Sequence, residues 1–326
     1  MRGLVIKSTG SSYIVRLDDG TDVECHVKGN FRIRGIRSTN PVAVGDWVEV
    51  QSDKGQGTKD KGQGTFWITE VEDRRNYIIR RSTNLSKESH ILAANVDQVA
   101  LIVTVNHPAT STTFIDRFLA TCEAYRVRAI LIFNKIDLLN EEELAHLKEL
   151  RALYESIGYE TFEMSALSIQ PSDILPLFAG KTTLLSGNSG VGKSTLLNAL
   201  FGREMTRTGK ISDAHDKGMH TTTFSEMYEL QVQRDDVPCT KEDLRGWLID
   251  TPGIKGFGTI DFEREEVGHF FRDIFRASAD CRFGNCTHTN EPGCAVQEAL
   301  IKGSIAISRY ESYLSMLGDC TESKYR

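Results

Sequence analysis

The run Gly187-Asn188-Ser189-Gly190-Val191-Gly192-Lys193-Ser194 places three glycines ahead of a Lys-Ser pair, between an apolar stretch and Thr195-Leu-Leu-Asn-Ala-Leu200. Glycines there let successive backbone N–H groups face phosphate oxygens, and the start of the following helix adds a favourable field. Lys193 is suited to bridge β- and γ-phosphate oxygens, the Ser194 hydroxyl to ligate Mg²⁺, and Thr195 closes the nucleotide-contacting run. About fifty residues earlier stands Asn134-Lys135-Ile136-Asp137. The Asp137 carboxylate can accept two donors from the Watson-Crick edge of guanine. Adenine offers an acceptor at N1 and lacks the 2-amino group, so buried groups left unpaired make it the costlier base. Lys135 can lay its methylene stem along the base, Asn134 can tie neighbouring loops together, and Ser165-Ala166 can offer a backbone N–H to guanine O6.

An ordinary guanine-nucleotide switch domain presents its phosphate loop first and its base reader late. Here the order is reversed, as a circular permutation requires. Downstream, Asp250-Thr-Pro-Gly253 ends an apolar run. Asp250 suits the Mg²⁺ shell through water, and the Gly253 N–H suits the γ-phosphate. Between phosphate loop and Asp250 lies Gly218-Met219-His220-Thr221-Thr222-Thr223, where a threonine hydroxyl would complete the Mg²⁺ shell once GTP orders the segment. Ras-like switches carry a water-orienting Gln directly after the Asp-x-x-Gly glycine. This chain has Ile254, which cannot orient water, so slow intrinsic turnover is expected.

A third group, Cys281-x4-Cys286-x-His288-x5-Cys294, offers three thiolates and one imidazole, the complement of a closed tetrahedral zinc site. Full occupancy leaves no position for a substrate water, so such a metal is structural. Free cysteines beside an incidental histidine are the alternative. Cys25, Cys122, Cys239 and Cys320 are scattered singles, consistent with a reducing, cytoplasmic setting.

The elements that must position these groups follow from period and punctuation. Five short alternating stretches, Leu4 to Ser8, Tyr13 to Leu17, Val23 to Lys28, Val48 to Gln51 and Phe66 to Val71, suit a small OB-type β-barrel. Lys28, Arg32, Arg34 and Arg37 with Phe31 gather positive charge near one barrel loop, and the polar segment from Ser52 to Thr65 reads as a mobile loop. Continuous apolar runs at Val99 to Val105 and Ala129 to Phe133 read as sheet strands covered on both faces. Between and after them, Phe114, Phe118, Leu119 and Cys122, then Leu144, Leu147, Leu150, Leu153 and Tyr154, recur at helical spacing. The middle of the chain is therefore α/β with a mostly parallel sheet. From residue 260 the pattern turns helical, with single helices expected over Phe262 to Phe275, Ala295 to Lys302 and Ser308 to Leu317. The expected domains are 1–75, an OB-fold RNA-binding domain; 76–90, a linker whose Arg74, Arg75, Arg80, Arg81 and Tyr77 suit phosphates and bases; 91–259, a circularly permuted P-loop GTPase domain; and 260–326, a mostly helical zinc-binding domain. Because the permutation runs the second switch almost directly into the Cys/His segment, nucleotide state is expected to reorient that segment.

Residues 1–90 carry 15 Lys/Arg against 12 Asp/Glu, and 91–254 carry 15 against 22, a mildly basic head on an acidic body that permits RNA contact. No run of eighteen apolar residues occurs, so no membrane role is expected. The ordered set of motifs, Asn-Lys-Ile-Asp, Ser-Ala, Gly-Asn-Ser-Gly-Val-Gly-Lys-Ser, His-Thr-Thr-Thr, Asp-Thr-Pro-Gly and Cys/His, resembles the RsgA family of small-subunit-dependent, circularly permuted GTPases over essentially the full length. The resemblance implies GTP hydrolysis stimulated by the small (30S) ribosomal subunit late in its maturation, contact with rRNA, one structural Zn²⁺, and action as a monomer, with late assembly factors left open as further partners. It favours Thr222 for the Mg²⁺ shell and matches His220 to the family's switch histidine, whether that residue orients water or shapes the loop. The family also carries a hydrophobic residue at the position of Ile254. A GTP-regulated RNA-binding module with incidental hydrolysis is the alternative reading.

Overall fold

The computed structural model describes residues 1–9, 12–27, 41–52, 65–81, 89–202, 225–231, 245–250 and 262–322. The basic group at Lys28, Arg32, Arg34 and Arg37, most of the polar loop, and His220, Thr222 and Gly253 lie outside the described residues. In chain order the strands are β1 (Arg2–Ser8), β2 (Tyr13–Leu17), β3 (Asp22–Val27), β4 (Trp47–Ser52), β5 (Phe66–Val71), β6 (Tyr77–Arg81), β7 (Ser89–Ala94), β8 (Gln98–Val103), β9 (Arg128–Phe133), β10 (Glu160–Glu163), β11 (Thr182–Ser186), β12 (Glu226–Gln231) and β13 (Arg245–Asp250). The helices are α1 (Thr112–Ala124), α2 (Glu141–Ile157), α3 (Pro171–Phe178), α4 (Lys193–Phe201), α5 (Arg272–Ser278), α6 (Ala295–Ile301) and α7 (Ile307–Glu322). These divide into two compact units, one formed by Met1–Val99, Leu167–Ser186 and Lys193–Ile254, the other by Ala100–Ala166, Gly187–Gly192 and Lys255–Arg326.

In the first unit β1, β2, β3, β5 and β4 follow one another, and β1 pairs back onto β4, closing a five-stranded barrel. Alternation sends Tyr13, Val15 and Leu17 of β2 inward, onto Val5, Cys25, Val48, Val50 and Ile68. A register shift between Val5 and Lys7 lets β1 leave the barrel and pair Lys7 with Glu226 of β12. β12 runs antiparallel to β13, and β13 runs parallel to β11. The expected linker is a two-stranded ribbon of β6 and β7. Arg74 is no phosphate fork: it is bound to the fully buried Asp46 at 2.6 and 2.7 Å and donates to the Pro41 carbonyl at 2.9 Å. A buried carboxylate needs that partner.

In the second unit β8, from Ala100 onward, β9 and β10 lie in that order, with β9 and β10 parallel. Ser111 caps α1, Asn140 and Glu143 form a capping box on α2, and Gly158 ends α2 at φ 99°. Phe262 to Phe275 is not one helix. A 3₁₀ turn, Val267–Phe270, and α5 are separated by an extended Phe271. Its fully buried ring meets Tyr313 edge-on at 5.7 Å and lies 4.8 Å beneath the Arg309 guanidinium, and seating it there breaks the helical register. Phe262, Val267, Phe271 and Ile274 pack with Val296, Ile305, Tyr313 and Met316, and also with Ala120 of α1. Arg272 and Arg276 of α5 donate to the Gly158 and Ile157 carbonyls at the C-terminal end of α2, both at 2.7 Å, where cations are favoured. Among the described residues no helix is long and apolar enough to cross a membrane.

Candidate nucleotide site and metal cluster

β9 delivers Asn134 to a buried position at its end. Its N–H donates to the Val103 carbonyl (2.9 Å), its Nδ2 donates to the Val191 carbonyl (2.7 Å), and its Oδ1 accepts from the Ala166 N–H (2.9 Å). One residue thus holds together the end of β8, through its backbone, and the phosphate loop and the Ser165-Ala166 turn, through its side chain. Lys135 follows in the left-handed region, φ 64°, and opens a 3₁₀ turn, Ile136–Leu138, that leaves Asp137 exposed.

The phosphate loop closes against the same frame. At Gly187, φ 142°, an added Cβ would lie 2.3 Å from the Ile102 carbonyl oxygen; at Gly192, φ 101°, it would lie 2.2 Å from Asn134 Nδ2. Both positions admit only glycine, so the loop backbone can approach the end of β8 and the Asn134 amide closely. In the other unit, the helix α4 begins at Lys193, and β13 ends at the buried Asp250. Burial pushes the Lys193 ammonium below its ordinary pKa against the pull of Asp250, an environment in which a polyphosphate would restore the charge.

The ligand atoms of Cys281, Cys286, His288 and Cys294 all lie within 4.8 Å of one another. His288 Nδ1 is 3.5 Å from Cys294 Sγ and 3.6 Å from Cys281 Sγ, and those two sulfurs are 3.9 Å apart. Tetrahedral zinc bonds of ordinary length imply about 3.8 Å between sulfurs and about 3.6 Å from sulfur to nitrogen, so the donor set fits that ion. Burial lowers the His288 pKa, keeping the imidazole a neutral donor, and raises the Cys286 thiol to about 12, so that a cation is needed to hold its thiolate.

Sequence reasoning missed what holds this cluster. Glu291 accepts from the Thr287 N–H (2.7 Å), the Thr287 hydroxyl (2.6 Å), and the N–H groups of Thr289 (2.9 Å) and Asn290 (3.1 Å). Burial opposes its charge, but these bonds prevail and bring its pKa down to about 2. The Tyr310 hydroxyl and Gln297 donate to the His288 carbonyl at 2.7 and 2.6 Å, and the Tyr313 hydroxyl donates to the Thr287 carbonyl at 2.7 Å. The run of hydrogen-bonding residues around His288 was the available signal; the two tyrosines, twenty-two and twenty-six residues along the chain from their acceptors, gave none.

Residues 2–58 match the RsgA N-terminal domain, and residues 71–260 match the RsgA GTPase family. The small ribosomal subunit biogenesis GTPase RsgA of Phocaeicola vulgatus is 57% identical over 327 aligned residues, which cover 100% of this chain and 99% of the relative. The small ribosomal subunit biogenesis GTPase RsgA 2 of Bacteroides thetaiotaomicron is 58% identical with the same coverage. Among solved structures, YjeQ from Thermotoga maritima aligns with a TM-score of 0.72 at 31% identity, covering 98% of both chains. YloQ, described as a circularly permuted GTPase, aligns at 0.68 and 29%, covering 100% of this chain and 96% of that one. Likeness of this extent, running through barrel, permuted motifs and Cys/His segment alike, makes the chain a member of the RsgA family of circularly permuted GTPases.

Proposed function

We propose that this protein hydrolyses GTP to GDP and phosphate in the service of small-subunit (30S) maturation, with ribosomal RNA as the surface it works on. The observation that carries the reading is Asn134, whose one side chain bonds both the phosphate loop and the Ser165-Ala166 turn, the coupling a single nucleotide pocket needs. In that pocket Asp137 and Lys135 read guanine, beside the Ser165-Ala166 turn, whose Ala166 N–H is bound by Asn134 Oδ1. Gly187 to Thr195 cradle the phosphates. Ser194, Thr222 and, through water, Asp250 hold Mg²⁺, while the Gly253 N–H meets the γ-phosphate. His220 is the residue proposed to bring the attacking water into register. Cys281, Cys286, His288 and Cys294 hold one Zn²⁺, which closes its loop and leaves no open coordination position. The domain limits proposed are 1–75, 76–90, 91–259 and 260–326, in a cytoplasmic monomer. Relatives named as small ribosomal subunit biogenesis GTPases support the ribosomal reading.

Steady-state GTP turnover with purified small subunits, against large subunits and unrelated RNA as controls, tests it. Acceleration by small subunits alone is expected. Equal acceleration by unrelated RNA, or none by any particle, would overturn the ribosomal part.

A further inference from the structure

The turn from β8 to α1, residues 104–111, is held more closely than a connector requires. Thr104 accepts from the Thr110 N–H at 2.9 Å, and its N–H donates to Thr110 Oγ1 at 3.2 Å. Asn106 is bound at both ends of its amide: Oδ1 accepts from the His107 N–H at 2.9 Å, and Nδ2 donates to Glu143 Oε1 at 2.7 Å. Glu143 belongs to the first turn of α2, where its other oxygen accepts from the Asn140 N–H at 3.0 Å. His107 is held at φ 62°, a conformation that costs energy for any residue but glycine and persists only where neighbours impose it. Its carbonyl accepts from the Lys135 ammonium. The next residue, Pro108, lies 3.4 Å from where a Cβ on Gly190 would be.

One turn therefore binds the base-reading lysine on one side and lies beside the phosphate loop on the other. Because the Lys135 ammonium is bonded to a carbonyl of this turn, the part of Lys135 presented to a base is its methylene stem. Where that stem lies is decided by where the His107 carbonyl lies. Two bonds from the Asn106 side chain, to the His107 N–H and to α2, fix that carbonyl.

We propose that Asn106 is a positioning residue for nucleotide binding, acting through the His107 carbonyl to hold Lys135 flat against guanine. The inference rests on the reading of Asn134 to Asp137 as a guanine site. It is tested by a double-mutant cycle on GDP affinity in the full-length, metal-loaded protein, with Asn106→Ala, Lys135→Met and the pair. Met keeps the unbranched apolar stem and removes the ammonium. Asn106→Ala alone is expected to raise the GDP Kd about tenfold, and to have no further effect in the Lys135→Met background. A loss of general rigidity would instead weaken both backgrounds equally, and that additive outcome, or a GDP Kd unchanged by Asn106→Ala, overturns the proposal. Asn106→Asp retains the oxygen facing the His107 N–H but has no donor for Glu143. It guards against a misfolded alanine variant, and is expected to weaken GDP in the same Lys135-dependent way. Wild-type preference for GDP over ADP is measured alongside. Its absence would sink the guanine reading itself, whereas its presence with an additive cycle sinks only the role of Asn106.

Discussion

Asn134 and Asp137 stand three residues apart and do opposite things. Asn134 is buried, and both ends of its amide are bound by the protein, at Val191 and Ala166. Asp137 is exposed on the following 3₁₀ turn. A residue bound to the frame through both the nitrogen and the oxygen of its amide organises the loops, and one presented to solvent is open to a ligand. Replacing Asp137 by Asn should therefore change which base is accepted without loosening the frame. An amide can donate to the 2-oxo group of xanthine but repels the 2-amino group of guanine. The Asp137→Asn variant is expected to lose roughly a hundredfold in GTP affinity and to gain xanthosine triphosphate, with thermal stability unchanged. Competition binding with the two nucleotides checks this; equal loss of both would mean that Asp137 supports the turn instead of reading the base. The residues proposed to select the base were legible in the sequence because they are contiguous. The need for glycine at 192 was legible as a pattern, but its cause, an Asn134 amide that would lie 2.2 Å from any Cβ, depends on a contact across fifty-eight positions of chain.

At the scale of elements, apolar periodicity located α1, α2, α6 and α7 and the strands of barrel and sheet to within a few residues, because burial imposes those periods. It failed where a single side chain outweighs the pattern, as at Phe271, and where charge is buried. Arg309 on α7 is 1% exposed and bonds Asp116 of α1 at 2.8 Å and Asp273 of α5 at 2.8 Å. Tyr154 of α2 and Ser312 add donors to Asp116 at 3.0 and 2.7 Å. Burial works against the guanidinium charge, yet the two carboxylates overcome it and hold its pKa above the ordinary value. Pattern reading assigns such residues to a solvated face, since nothing local says that an Asp and an Arg 193 positions apart will meet. Arg309→Met should cost about 3–5 kcal/mol, because it strands Asp116 without its cation. Urea denaturation measures that loss, and adding Asp116→Asn and Asp273→Asn should recover part of it. A loss below about 1 kcal/mol would show that the node is replaceable packing.

For the molecule as a whole, α7 changes what the permutation means. Chain order alone suggested a Cys/His segment hung from the second switch and turned by it. Instead, one helix grips both sides: Arg309 and Ser312 bind Asp116 of α1, while Tyr310 and Tyr313 bind the carbonyls of His288 and Thr287 in the metal loop. α1 in turn begins at the turn that binds Lys135 and lies beside Gly190. Metal loop, α7, α1 and base reader thus form a packed series within one compact unit, in which the Cys/His segment packs against the base-reading half. Two sites joined through a shared packed body influence each other reciprocally if loosening one loosens the elements that hold the other. Removing the metal with a chelator should release His288 and Thr287 from the geometry that Tyr310 and Tyr313 hold, lower the melting temperature, and weaken GDP binding by about 3–10-fold. Reciprocally, saturating GDP should slow metal release to the chelator. In Arg309→Met the link is cut, so the effect of metal removal on GDP affinity should shrink toward none. Titrating GDP into metal-loaded and stripped protein, with and without Arg309→Met, measures all three quantities. A GDP affinity indifferent to the metal in the wild-type chain would show that the cluster stabilises its own loop and communicates nothing to the nucleotide site.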